Sequence, residues 1–231
     1  MRRPLLAALA LVAAVSLAAC GSSGPPVSRP HGTLTISNES GTLWDCAFNP
    51  FNPAESSFSV GPVYEPLAFS NVLQSGKTSP WLATSWAWSD GNKTLTFTVR
   101  QGVRWSDGVR MTAGDVAFTF NMLKRHPGLD VNQLWSVLSS VTRHGDEVRM
   151  TFKQAAVADF YLLAGQTPIV PEHVWSKVAS PDTYLGASPV GTGAYRTSCV
   201  PQNIRYTANP RYWKAGEPKI ETVNYPAYTS I

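Results

Sequence analysis

Apolar and polar positions change their spacing several times along these 231 residues, and each change marks a different kind of segment. Residues 5–19 are almost wholly apolar and follow Met1-Arg2-Arg3. They fall short of the ~20 apolar residues a membrane-spanning helix needs. A basic start, an apolar centre and the small residues Ala18-Ala19 before Cys20 predict an export signal over residues 1–19. Residues 20–31 read as a flexible linker, because 21–30 are dominated by Gly, Ser and Pro and cannot supply a core.

Regular alternation begins at Gly32-Thr33-Leu34-Thr35-Ile36-Ser37, a short strand, and gives way to a loop over 41–53. There Asn49-Pro50 and Asn52-Pro53 favour turns and keep the preceding residue out of helix. Val63-Tyr64-Glu65-Pro66-Leu67 reads as a helix end or an extended segment. Thr94 to Arg100 alternates cleanly, with Leu95, Phe97 and Val99 on the buried side. Ser89-Asp90-Gly91-Asn92, Gln101-Gly102-Val103 and Ser106-Asp107-Gly108 supply turns around it.

Helical spacing replaces alternation at Thr112-Ala113-Gly114-Asp115, a capping box followed by Val116, Phe120 and Leu123 on one face. Lys124-Arg125-His126 suit the helix end and Pro127-Gly128 stops it. Residues 137–141 and 148–152 flank a turn and predict a β-hairpin. Residues 155–164 predict a short helix, and Pro171-Glu172 begins another. Extended segments follow near Gly191-Thr192-Gly193, Ile204-Arg205-Tyr206 and Ile220-Glu221-Thr222-Val223. The two glycines are read as turn residues.

Composition adds two constraints. The chain is 43% hydrophobic and 15% charged, which describes a globular protein. Its 19 Lys and Arg stand against 15 Asp and Glu, with Arg2 and Arg3 in the leading segment, so the remainder is close to neutral. The basic residues form no stripe, which argues against a nucleic-acid partner. Eight Trp and eight Tyr suit ligand recognition but also core packing.

Candidate chemistry is sparse. His31, His126, His144 and His173 never fall at the spacing of a metal site. Neither a nucleophile elbow nor a phosphate-binding loop is present. No metal and no cofactor is therefore expected. Cys46 and Cys199 are either a disulfide, in an exported chain, or two separately buried thiols.

The sequence around Leu17-Ala18-Ala19-Cys20 resembles the lipobox of bacterial lipoproteins, which implies lipid on Cys20 and attachment to the outer side of the cell membrane. An ordinary secretory signal cut near Ala19 is the alternative. A longer series of motifs resembles a transport family. Tyr64-Glu65-Pro66-Leu67, Pro80-Trp81-Leu82-Ala83-Thr84-Ser85-Trp86 and Asp90-Gly91-Asn92-Lys93-Thr94-Leu95-Thr96-Phe97 come first. Arg100-Gln101-Gly102-Val103-Arg104-Trp105-Ser106-Asp107-Gly108 and Thr112-Ala113-Gly114-Asp115-Val116-Ala117-Phe118 follow. Ile169-Val170-Pro171-Glu172-His173-Val174-Trp175, Gly191-Thr192-Gly193-Ala194-Tyr195 and Asn209-Pro210-Arg211-Tyr212-Trp213 complete it. In this order they resemble the peptide/nickel-type extracellular solute-binding proteins (family 5) of bacterial ABC importers.

That resemblance implies an α/β fold of the type II periplasmic-binding-protein class, two lobes closing on a ligand, and no catalysis. One lobe is expected here, with core segments 32–59 and 188–231 and an inserted β-rich subdomain over 60–187. Family members are longer, so the resemblance further implies a truncated chain whose second lobe is absent. The implied function is capture of peptides or similar small solutes outside the membrane and delivery to an ABC permease. A truncated cell-surface or pseudogene product without a transport role is the alternative. The resemblance places Gly41, Thr42, Leu43, Trp44 and Asp45, after the first strand, at the ligand cleft. Trp44 is there either an apolar wall for the ligand or a packed residue of the lobe. Trp81, Trp105 and Trp213 are read as structural.

Overall fold

The alternating run at Thr94 sits at the centre of an antiparallel sheet. The computed structural model describes residues 31–37, 42–55 and 58–228. Its strands are β1 (Thr33–Thr35), β2 (Ala68–Asn71), β3 (Lys77–Pro80), β4 (Ala83–Ser89), β5 (Thr94–Val99), β6 (Leu138–His144), β7 (Glu147–Phe152), β8 (Tyr195–Val200), β9 (Asn203–Ala208) and β10 (Thr222–Pro226). One four-stranded sheet runs β4-β5-β7-β6, with every pair antiparallel. Leu95, Phe97 and Val99 are buried on one face of it, together with Val148 and Met150 from β7. The period of two thus reports a half-buried strand.

Helix α1 (Ala113–Arg125) lies on that buried face, packed against β6 and β7. Its Val116, Phe120 and Leu123 are buried, as helical spacing requires. Both arms of the capping box form. Gly114 N–H donates to the Thr112 hydroxyl at 3.1 Å, and Thr112 N–H donates to Asp115 at 2.7 Å. The other Asp115 oxygen accepts from Glu172 N–H at 3.0 Å, at the start of the short α3 (Glu172–Trp175). One carboxylate therefore organises two helix starts. The four-residue α2 (Leu134–Val137) precedes β6, with Asp130 accepting from Leu134 and Trp135 N–H, both at 2.9 Å.

A second four-stranded sheet, in the order β1-β10-β9-β8, draws strands from both ends of the described chain. β1 is parallel to β10, and the other pairs are antiparallel. Register places Thr197, Tyr206 and Val223 on one face, next to Cys199, Ile204 and Tyr225. Ile204, Tyr206 and Val223 are buried there, while Arg196, Ser198 and Arg205 alternate to the exposed side. A single core runs continuously between the two sheets.

Glu65 joins the two layers. Only 2% exposed, its carboxylate accepts from the Trp81 indole at 2.7 Å and the Tyr212 hydroxyl at 2.9 Å through Oε1. The Trp213 indole donates to Oε2 at 2.9 Å. Trp81 leads into β4, whereas Tyr212 and Trp213 lie between β9 and β10, so this carboxylate ties one sheet to the other. Arg100 stacks over Trp213 and Lys214 over Trp81, each at 4.6 Å from the ring centre. Burial raises the Glu65 carboxyl above its ordinary range, opposed by the donors of Trp213, Tyr212 and Trp81.

Two expectations need correction, and one element was not foreseen. Residues 155–164 do not form an α-helix. A 3-10 turn at Val157–Asp159 leads into a π-helical segment at Tyr161–Gln166. The Thr167 hydroxyl donates to the Leu162 carbonyl five residues back at 2.8 Å, a span suited to the wide turn. The β2–β3 hairpin has no counterpart in the sequence reading, because its strands carry polar residues and no apolar alternation. Gly191 and Gly193 serve close approach and not a turn: a Cβ on them would lie 1.9 Å from the Val63 carbonyl oxygen and 2.3 Å from that of Pro62. Gly193 and Tyr195 N–H donate to those same carbonyls.

Candidate functional site

Parallel pairing of β1 with β10 sends both carboxyl ends to the same edge of their sheet. In open α/β sheets, ligands bind outside the carboxyl ends of parallel strands. The chain leaving β1 returns to this edge at residues 42–46. Trp44 N–H donates to the Pro201 carbonyl at 2.9 Å, in the β8–β9 turn. Its indole N–H donates to the Tyr225 carbonyl at 2.7 Å, at the end of β10.

Around Trp44 the aromatic rings form a chain. Trp44 meets Phe58 edge-on at 4.7 Å, Phe58 meets Tyr225 at 5.9 Å, and Tyr225 meets Tyr206 at 5.6 Å. The Tyr206 hydroxyl donates to the Phe58 carbonyl at 2.6 Å. Burial first, and the neighbouring Tyr225 second, raise the Tyr206 phenol well above its ordinary range, so it stays protonated and donates. Edge-on geometry of this kind adds about 0.5–1.5 kcal/mol per pair beyond area burial.

The residues expected at the cleft divide into three groups. Thr42, Leu43 and Asp45 are exposed along the edge, with Leu43 at 52%. Trp44 is half-buried and packed into the lobe by Phe58 and its two hydrogen bonds. Gly41 lies outside the described residues, as do Cys20, the signal segment 1–19 and linker residues 20–30. Asp45 accepts from Ala47 N–H at 3.2 Å, a local turn that leads into Cys46. The Cys46 and Cys199 sulfurs are bonded, with Cα atoms 5.5 Å apart, which pins the loop to β8. Sequence reasoning missed Phe58, Tyr206 and Tyr225. Alternation through Ile204-Arg205-Tyr206 and Val223-Asn224-Tyr225 carried the signal for the two tyrosines, since it sets them on one face.

Beyond Asp45 the loop is fixed by its own polar residues. Asn49 donates through its side chain to the Pro181 and Tyr184 carbonyls, at 3.2 and 2.9 Å. Glu55 accepts from the Asn52 amide at 2.7 Å. Burial raises the Glu55 carboxyl, the charge of Asp45 adds to the rise, and the Asn49 and Asn52 donors oppose it.

A separate cavity of about 450 Å³ opens between Phe51, the end of α1 at Leu123, Leu129, Leu134 and the π-helical Gln166. None of residues 42–46 lines it, so volume alone points away from the edge where Trp44, Phe58, Tyr206 and Tyr225 meet. The parallel strand ends and that convergence make the edge the better candidate. Among the described residues, no group of three or more His, Cys, Asp or Glu is placed to hold a metal. Among them also, no helix is long and apolar enough to cross a membrane.

Known proteins resemble this chain in sequence and fold. The family model for bacterial extracellular solute-binding proteins, family 5 (middle), matches residues 77–230. The nickel-binding periplasmic protein of Escherichia coli K12 is 30% identical over 199 residues, 80% of this chain and 36% of that one. Peptidoglycan-binding protein YepA of Agrobacterium fabrum is 29% identical over 193 residues, 78% of this chain and 31% of that one. Among solved structures, the mannohexaose-bound periplasmic oligopeptide-binding protein of a Thermotoga maritima oligopeptide ABC transporter superposes with a TM-score of 0.76. Its identity is 29%, over 86% of this chain and 38% of that one. The chain thus spans about a third of the length of these relatives. Its mixed α/β fold is that of the type II periplasmic binding proteins, of which it covers a part. The chain belongs to the bacterial extracellular solute-binding proteins of family 5.

Proposed function

We propose that this chain forms a ligand-capturing lobe of an ABC importer's substrate-binding lipoprotein. It takes peptides or similar small solutes outside the membrane and hands them to the permease, without catalysing a reaction. The observation that carries this reading is the edge at residues 42–46, where Trp44 bonds both the β8–β9 turn and the end of β10, next to the carboxyl end of the parallel β1. Exposed Thr42, Leu43 and Asp45 beside it offer backbone and side-chain groups to a ligand, and the rigid aromatic chain behind them supplies an apolar support. The Thermotoga relative is an oligopeptide-binding protein of an ABC transporter, and peptide is accordingly the first ligand class to test.

In this reading segments 32–59 and 188–231 make the core of the lobe and residues 60–187 an insertion. Cys20 carries the lipid, with residues 21–30 as the leash. Two acyl chains give stable attachment where one gives only marginal binding.

A thermal-shift screen of the full chain against pools of short peptides, nickel chelates and oligosaccharides tests ligand capture. The peptide pool is expected to raise the midpoint, since a ligand at about 100 times its Kd adds about 2.7 kcal/mol. Trp44→Ala is expected to remove that shift. No response to any pool overturns the reading. Anchoring is checked separately by fractionation: Cys20→Ala should release the protein from membranes, and full retention sinks the lipid assignment.

A further inference from the structure

Residues 42–46 are fastened to the sheet at one corner. The Trp44 amide bonds to Pro201, its indole to the end of β10, and Cys46 to Cys199 two residues before Pro201. Cys46 itself has φ +56°, in the left-handed region. That conformation costs a non-glycine residue roughly 1–2 kcal/mol. It persists only where the surroundings over-determine it, and such residues gather at ligand clamps. Cys46 is held by its bond to a strand, while the side chains of Leu43 and Asp45 on the same loop face solvent. Cys46 and Cys199 are both only partly buried, so a small reductant can reach them.

We propose that the Cys46–Cys199 disulfide is a positioning device for the edge: it holds residues 42–46 so that Trp44 stays bonded to the β8–β9 turn and the end of β10. Its reduction by a dithiol frees that loop while the sheet stays folded. The functional meaning rests on the reading that this edge receives the ligand. In the exchange, a thiolate of the dithiol attacks one sulfur and forms a mixed disulfide. Its second thiol then displaces the bound cysteine. The reductant is oxidised by two electrons to its own disulfide, and Cys46 and Cys199 leave as thiols with one proton each. Cys46 can then relax out of the left-handed region, which re-aims the backbone just after Trp44. The β8–β10 ladder needs no such bond, because its strands are paired along their full length.

Hydrogen exchange of the full chain, read by mass spectrometry before and after dithiothreitol, tests the device. Exchange at residues 44–47 should rise at least about tenfold, while β5 and β9 stay within about twofold, the pattern of a local opening. Unchanged exchange at 44–47 overturns the proposal, since the hydrogen bonds then suffice. Loss of protection throughout β8–β10 also overturns it, because the bond is then a staple of the sheet. The Cys46→Ser/Cys199→Ser double variant repeats the comparison without reductant. Fluorine NMR with 5-fluorotryptophan, assigned through Trp44→Phe, adds a signature: the Trp44 line should move on reduction. Titrating a short-peptide pool into the oxidised protein reads the ligand assignment apart from the device. A Trp44 line that ignores peptide but follows reduction defeats the ligand reading and leaves the positioning role standing.

Discussion

At the scale of single residues, Glu65 sets the sharpest energetic problem. A carboxylate has been taken from water and given three neutral donors in exchange, from Trp81, Tyr212 and Trp213. Hydrogen bonds to a charged group are worth about 1.5–3 kcal/mol each, so removing the acceptor costs more than a typical surface change. Glu65→Gln keeps the shape but turns an N–H towards one of the donors. Chemical denaturation should show a loss of about 1–3 kcal/mol, the penalty for an unsatisfied buried polar group. The pH signature has a definite sign. Because the folded carboxyl holds its proton above the ordinary 4.5, the native state binds more protons than the unfolded chain over that window. This group's contribution to stability is therefore largest below 4.5 and is lost as pH rises through the folded value. Glu65→Gln should lack that segment of the pH profile; an identical profile in variant and wild type would contradict the assignment.

Among the elements, α1 was the most legible in the sequence. Its cap, apolar face and stop are local, and local signals survive folding. Thr112→Ala should cost about 1 kcal/mol. Asp115→Ala should cost more, since that carboxylate also holds the first amide of α3. Equal losses in thermal melts would show that the second bond contributes nothing. Gly191 and Gly193 taught the opposite lesson. Their role depends on residues 62–63 arriving from a distant part of the chain, which no local pattern announces. Gly191→Ala, driving a Cβ into the Val63 carbonyl, should destabilise by about 3 kcal/mol or more, and a neutral effect in the same melts would refute the close packing. The β2–β3 hairpin, and the π-helical form of the helix expected at 155–164, escaped the reading for a related reason: neither carries an apolar period, and the π-helical Leu163 and Ala164 are buried by tertiary packing. At the candidate site the loop was legible only through family likeness. The aromatic chain behind it required the register of β9 with β10.

For the whole molecule, the two sheets, the Glu65 joint and one continuous core explain why many weak sequence motifs belong together. Trp81, Tyr212 and Trp213 come from separate motifs and meet at one carboxylate. The parallel pairing of β1 and β10 also orders events in time. Thr33 finds its partner only when Thr222 is available, nearly the full described length later. Contacts so distant in sequence form slowly, because the intervening chain must first be closed into a loop. A polypeptide emerging amino end first therefore keeps its first strand waiting, unpaired, until β10 appears. The edge proposed to meet ligand is then the last part of the lobe to assemble, and a chain that has not finished folding cannot yet present it.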